Sequence, residues 1–68
     1  MSESEKKKLI ELGEKIRNKR KEMKFSQSML ADKTWIDRSY ISMVERWETN
    51  ITYLKLVKIS KLLELGIK

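Results

Sequence analysis

The chain has no cysteine, no histidine and no proline, and among its 68 residues only two are glycine and five are aromatic. Without cysteine there is no disulfide framework, and without cysteine and histidine there is no thiolate or imidazole metal site. Packing or self-association must therefore hold the fold. The same absences remove the thiol nucleophile and the imidazole base. No glycine-rich phosphate loop or pocketed pair of carboxylates replaces them, so the expectation is a non-enzyme with no metal, no cofactor and no small-molecule substrate. No apolar run approaches the roughly 18 residues of a membrane span, and the opening MSESEKKK lacks the apolar stretch of a secretory signal. A cytoplasmic protein with no membrane partner is expected. A chain of this length makes one small domain, burying only about 60% of the surface its unfolded form exposes.

What the sequence does have is positive charge. Sixteen Lys and Arg stand against ten Asp and Glu, for a net +6 and a pI near 9.7. Such a balance suits a polyanion, either nucleic acid or an anionic membrane surface. The charge is unevenly spread: residues 1–24 hold nine basic and five acidic groups, 25–50 three and four, and 51–68 four and one. The flanks are positive and the middle is slightly negative.

With no proline and no alternating β-branched run, the chain reads as all helix. Leu9, Leu12, Ile16 and Met23, with Arg20 among them, share one face of a helix over about 6–23, behind a frayed start. Ser26 ahead of Gln27, Met29 and Leu30 is an N-cap pattern for a short second helix ending near Lys33. Asp37 opens a third, reaching about Trp47, with Ile41 and Val44 inward. Thr52 introduces a fourth, striped by Tyr53, Leu56, Val57, Ser60 and Leu63. The short link between the second and third helices suggests a helix-turn-helix arrangement.

The segments LGEKIRNKRKE, SQSMLA, DRSYISMVER and TYLKLVKISKLL occur in an order that resembles the Cro and phage-repressor-like (XRE) family of DNA-binding domains. Within it, DRSYIS, the following Glu45–Arg46 and then Asn50 are most similar to restriction-modification controller proteins. The resemblance covers about residues 9–65. It implies an all-α, lambda-repressor-like domain of four to five helices over 9–68, preceded by a flexible basic segment at 1–8. It also implies a regulator that binds double-stranded DNA sequence-specifically, with helix 37–46 in the major groove, as a homodimer on a palindromic operator.

At the matching positions, Arg38, Ser39, Tyr40, Ser42 and Met43 are implied to contact bases, Arg38 by a bidentate pairing with guanine. Gln27, Arg46, Asn50 and Thr52 are implied to contact phosphate, helped at Gln27 and Thr52 by the free N–H groups of a helix start. Arg20 and Glu45 are implied to form a structural ion pair.

The sequence departs from the family at three places. Trp35 stands where glycine is usual in the turn, and Trp47 where glycine follows the Glu-Arg pair. The expectation is altered turn geometry with both indoles packed over the core, a protein or DNA contact being the alternative. Many relatives form their dimer through a fifth helix, whereas here Leu54, Leu62, Leu65 and Ile67 exceed what one helix face buries and are expected to form a self-association patch. The competing functional reading is a protein-interaction module of antitoxin or anti-repressor type on the same fold.

Overall fold

In a computed structural model that describes residues 2–66, the chain folds as four helices: α1 (Glu3–Glu22), α2 (Gln27–Thr34), α3 (Arg38–Glu45) and α4 (Tyr53–Leu63). Among the described residues there is no strand, and no helix is long and apolar enough to cross a membrane. The architecture is all-α with a helix-turn-helix at α2–α3.

Helix α1 begins earlier than about residue 6, so residues 3–8, read from sequence as a flexible segment, are helical. The cause is local. Ser2 is the N-cap, its Oγ accepting from the Glu5 N–H at 3.2 Å, while Glu3 and Glu5 face the positive end of the helix dipole and Lys19, Arg20 and Lys21 the negative end. Its 20 residues, at about 1.5 Å each, span about 30 Å, close to the 32 Å longest extent of the molecule.

Helices α3 and α4 pack against α1, and α2 packs against α3 and α4. Ile16, Leu30, Ile41, Ile59 and Leu63 are wholly buried, joined by Ala31, Ile36 and Val44. Burying an aliphatic side chain of this size contributes about 1.5–3 kcal/mol. The apolar stripe of α4 differs from the one read in the sequence: Ile59 enters the core, whereas Tyr53 is 62% exposed. Helix α4 is apolar on most of its circumference, so periodicity alone does not choose its inner face, and packing against α1 and α2 does. Leu54 is exposed, Leu62 and Leu65 lean against the core, and Ile67 of the proposed self-association patch lies outside the described residues.

Gly13 sits where α1 crosses α3. A Cβ there would lie 2.6 Å from the Val44 carbonyl oxygen and 3.1 Å from that of Glu45. Glycine inside a helix costs about 1 kcal/mol relative to alanine, and here the cost admits backbone-to-backbone contact.

All four helices close in the same way. Lys24, Trp35, Trp47 and Glu64 each take a left-handed conformation, with φ between 51° and 61°. The N–H that follows then returns to a carbonyl five residues back: Phe25 to Arg20, Ile36 to Ala31, Glu48 to Met43 and Leu65 to Ser60, at 2.8–3.2 Å. This is the Schellman type of ending, usually built on glycine. The altered geometry expected at Trp35 is therefore corrected: the turn keeps its left-handed residue and tolerates an indole there. The expected packing is corrected for Trp35, which is 92% exposed, whereas Trp47, at 45%, has more than half of its surface covered. In such an ending the residue after the left-handed one turns inward, and Ile36 fills the space beneath the turn.

Candidate nucleic-acid interface

Helix α3 is held from below. Ile41, Val44 and Glu45 form its buried face, and Ala31 and Ile36 fill the crossing with α2. The Thr34 hydroxyl donates to the Leu30 carbonyl at 2.7 Å, so the last turn of α2 buries a polar side chain without leaving it unpaired.

Glu45 anchors the end of the helix. Arg20 Nε donates to Glu45 Oε2 at 2.7 Å and Nη2 to Oε1 at 2.9 Å, while Nη1 donates to the Phe25 carbonyl at 2.9 Å. Gln27 Nε2 adds a 3.3 Å bond to Oε1. This cluster joins α1, the α1–α2 loop, the start of α2 and the end of α3. The hydrogen bonds to Glu45 raise the Arg20 pKa above its ordinary value, burial opposes them, and the Glu45 charge reinforces them. No buried side-chain polar atom among the described residues lacks a partner.

The outer face of α3 is the complement of that arrangement. Arg38 is exposed and makes no ion pair or hydrogen bond among the described residues, Ser42 and Met43 are half-buried, and Arg46 is exposed. Asp37 is the N-cap residue of α3 but gives no side-chain cap; its carboxylate accepts instead from the Ser39 hydroxyl at 2.7 Å. The first N–H groups of α3, that of Arg38 among them, consequently have no side-chain cap. Helix α2 presents a similar start: the Ser26 hydroxyl takes the Met29 N–H and the Ser26 carbonyl the Leu30 N–H, which leaves the N–H groups of Gln27 and Ser28 free.

Tyr40 points elsewhere than to the open face. Its hydroxyl accepts from the Thr52 N–H at 3.2 Å and donates to the Asn50 carbonyl at 3.4 Å, while the Lys55 ammonium stands 3.9 Å from the ring centroid. Tyr40 thereby fixes the α3–α4 loop, holding the exposed Asn50 and Thr52 beside the α3 N-terminal half. Thr52 caps α4 through its backbone only, its side chain making no cap bond, so the α4 start is also open.

A cleft of about 290 Å³ at the junction of α1, α2 and α3 brings Gln27, Ser42 and Arg46 together with Arg17 and Lys21. Arg46 is held only by an exposed 3.1 Å pair with Glu48, a contact of small energy. Reading the sequence missed Arg17 and Lys21. Their signal is the spacing of four that sets both on the flank of the Arg20 face of α1. Arg20 neutralises Glu45, so the surplus charge of the cleft is that of Arg17, Lys21 and Arg46.

A family model described as helix-turn-helix matches residues 16–68, which take in the last third of α1 and everything after it. No curated protein and no solved structure matches the chain.

Proposed function

Since the chain belongs to the helix-turn-helix family, of the Cro and C1 (XRE-like) type, and is a DNA-binding regulator of that family, we propose that it reads a specific duplex sequence with the outer face of α3. The observation that carries this reading is the unpaired Arg38 at the open N-terminus of α3, beside Ser42 and Met43 and flanked by the Arg17–Lys21–Arg46 cleft. Eight helical residues span about 12 Å, the width of the major groove.

In this reading Arg38 donates to guanine O6 and N7, and Ser39, Ser42 and Met43 meet neighbouring base edges. Tyr40, expected from the resemblance to touch a base, instead holds the loop that carries Asn50 and Thr52. Gln27, Asn50, Thr52 and Arg46 take phosphates, with Arg17 and Lys21 added on the α1 side. The free N–H groups at the starts of α2 and α4 point donors at the same backbone. The protein acts as a homodimer, assembled on DNA, on a palindrome whose half-sites lie about one helical turn apart. Control of a restriction-modification system is the finer reading, supported by DRSYIS, the Glu45–Arg46 pair and Asn50.

Selection of bound duplexes from a random pool at moderate salt tests the reading. The expected outcome is a palindromic motif containing a guanine in each half-site, with affinity that falls steeply as salt rises. Absence of enrichment turns the assignment toward a protein-interaction module. A selected motif found ahead of the gene for this chain, next to methyltransferase or nuclease genes, supports the restriction-modification reading; its absence there removes it.

A further inference from the structure

Trp35 combines a left-handed backbone, φ 60° and ψ 31°, with 92% exposure. A bulky residue in that conformation is strained, and the indole gains no core packing in return. The ring divides two clefts. On the α3 side, a cleft of about 650 Å³ is mixed in charge, with Asp32, Asp37 and Arg38 in its lining. On the α4 side, a cleft of about 450 Å³ is lined by Lys33, Thr34, Trp35, Lys58, Lys61 and Leu62, which supply three ammonium groups and no carboxylate. Lys33 sits 5.2 Å from the Phe25 ring centroid, and Lys58 and Lys61 have no ion-pair partner among the described residues. The indole, Leu62 and the lysine stems make the floor of this cleft apolar.

We propose that the α2–α4 cleft docks an acidic amphipathic segment of a partner protein. Carboxylates of the segment meet Lys33, Lys58 and Lys61, and one apolar side chain seats between Trp35 and Leu62. Charge selects this occupant over the others. A second copy related by a two-fold axis would bring the two sets of lysines together. Head-to-tail pairing would offer the cleft the surface of Glu11, Glu14, Glu22 and Glu64, where Lys15 and Lys19 offset half of the negative charge, and repetition of that contact would build an open filament or a closed ring. A phosphodiester chain satisfies the lysines but gains nothing from the apolar floor. The cleft contains no residue of α3, so the proposal stands independently of the base-reading face.

The test is panning of a random dodecapeptide library on the full chain, followed by titration of the selected peptides against the parent and against the Trp35→Gly variant, whose turn suits glycine. Binding of the selected peptides is then read from Trp35 emission in Trp47→Phe protein. The expected peptides carry several Asp or Glu around an aromatic or aliphatic residue and shift the emission to the blue. They bind at least tenfold more weakly to Trp35→Gly and to the Lys58→Glu, Lys61→Glu double variant, with helical circular dichroism retained. Peptides without acidic bias, or binding Trp35→Gly equally well, overturn the proposal. Concentration-dependent self-association that is lost in Trp35→Gly overturns it in favour of a second copy. Displacement of the peptides by single-stranded oligonucleotide overturns it in favour of nucleic acid.

Discussion

Helix α3 has two faces that meet opposite demands. Inward, Ile41, Val44 and Glu45 are buried, and the single charge among them is enclosed by Arg20 and Gln27. Outward, Arg38 has no partner among the described residues and the first N–H groups of the helix are uncapped. A charge buried among apolar groups must have its partners inside the molecule, whereas a charge left open is available to something outside it. Substitutions on the inner face should therefore act on folding, and those on the outer face on binding.

The largest separation is expected at Glu45. Glu45→Ala strands the Arg20 guanidinium, whose side chain is only 10% exposed, and should cost about 3–5 kcal/mol. In a domain this small that is much of the total stability, so DNA binding is lost through unfolding. A Glu45→Ala protein with an unchanged, cooperative thermal melt would break the comparison. Gly13→Ala tests the same inner contact from α1. A methyl 2.6 Å from the Val44 carbonyl must push two backbones apart, so about 2 kcal/mol is lost even after the gain in helix propensity. A denaturant midpoint equal to or above that of the parent would show that α1 and α3 can separate freely.

The outer face should respond the other way. Arg38→Ala is expected to leave the melting temperature unchanged while weakening operator binding by about 1–2 kcal/mol, roughly 5- to 30-fold, and relaxing preference at one guanine. Titrations against the selected operator and against single-base variants measure both effects. A uniform loss across all sequences would reassign Arg38 to phosphate.

Reading the sequence located the elements better than their outer residues, for physical reasons. Ser26, Asp37 and Thr52 stand at the N-cap positions read for them, though only Ser26 makes a side-chain cap bond, and the inward spacing of Ile41 and Val44 is likewise a local pattern. Ile59 was missed because α4 is apolar on several sides and only its neighbours select a face. Gly13 looked unremarkable because a close crossing has no local signature. Arg17 and Lys21 were hidden in a helix crowded with basic residues, where only the fold shows which of them share a cleft with Arg46. Trp35 was misjudged for a different reason. Large aromatic side chains usually bury, but a Schellman ending turns the next residue inward and leaves the left-handed one outside.

That last point gives the smallest expected effect and the one most specific to this chain. Trp35→Gly removes a side chain that is 92% exposed from a backbone at φ 60°. Little packing is lost, and the relief of left-handed strain, about 1–2 kcal/mol, is partly offset by the extra freedom of glycine in the unfolded chain. The net gain should be near 0.5–1 kcal/mol, or a rise of about 2–8 °C in melting temperature. A fall in stability would mean that the indole packs onto Leu62 and the lysine stems. A rise would mean that the indole is kept against the interest of the fold, as a residue that serves an outside partner would be.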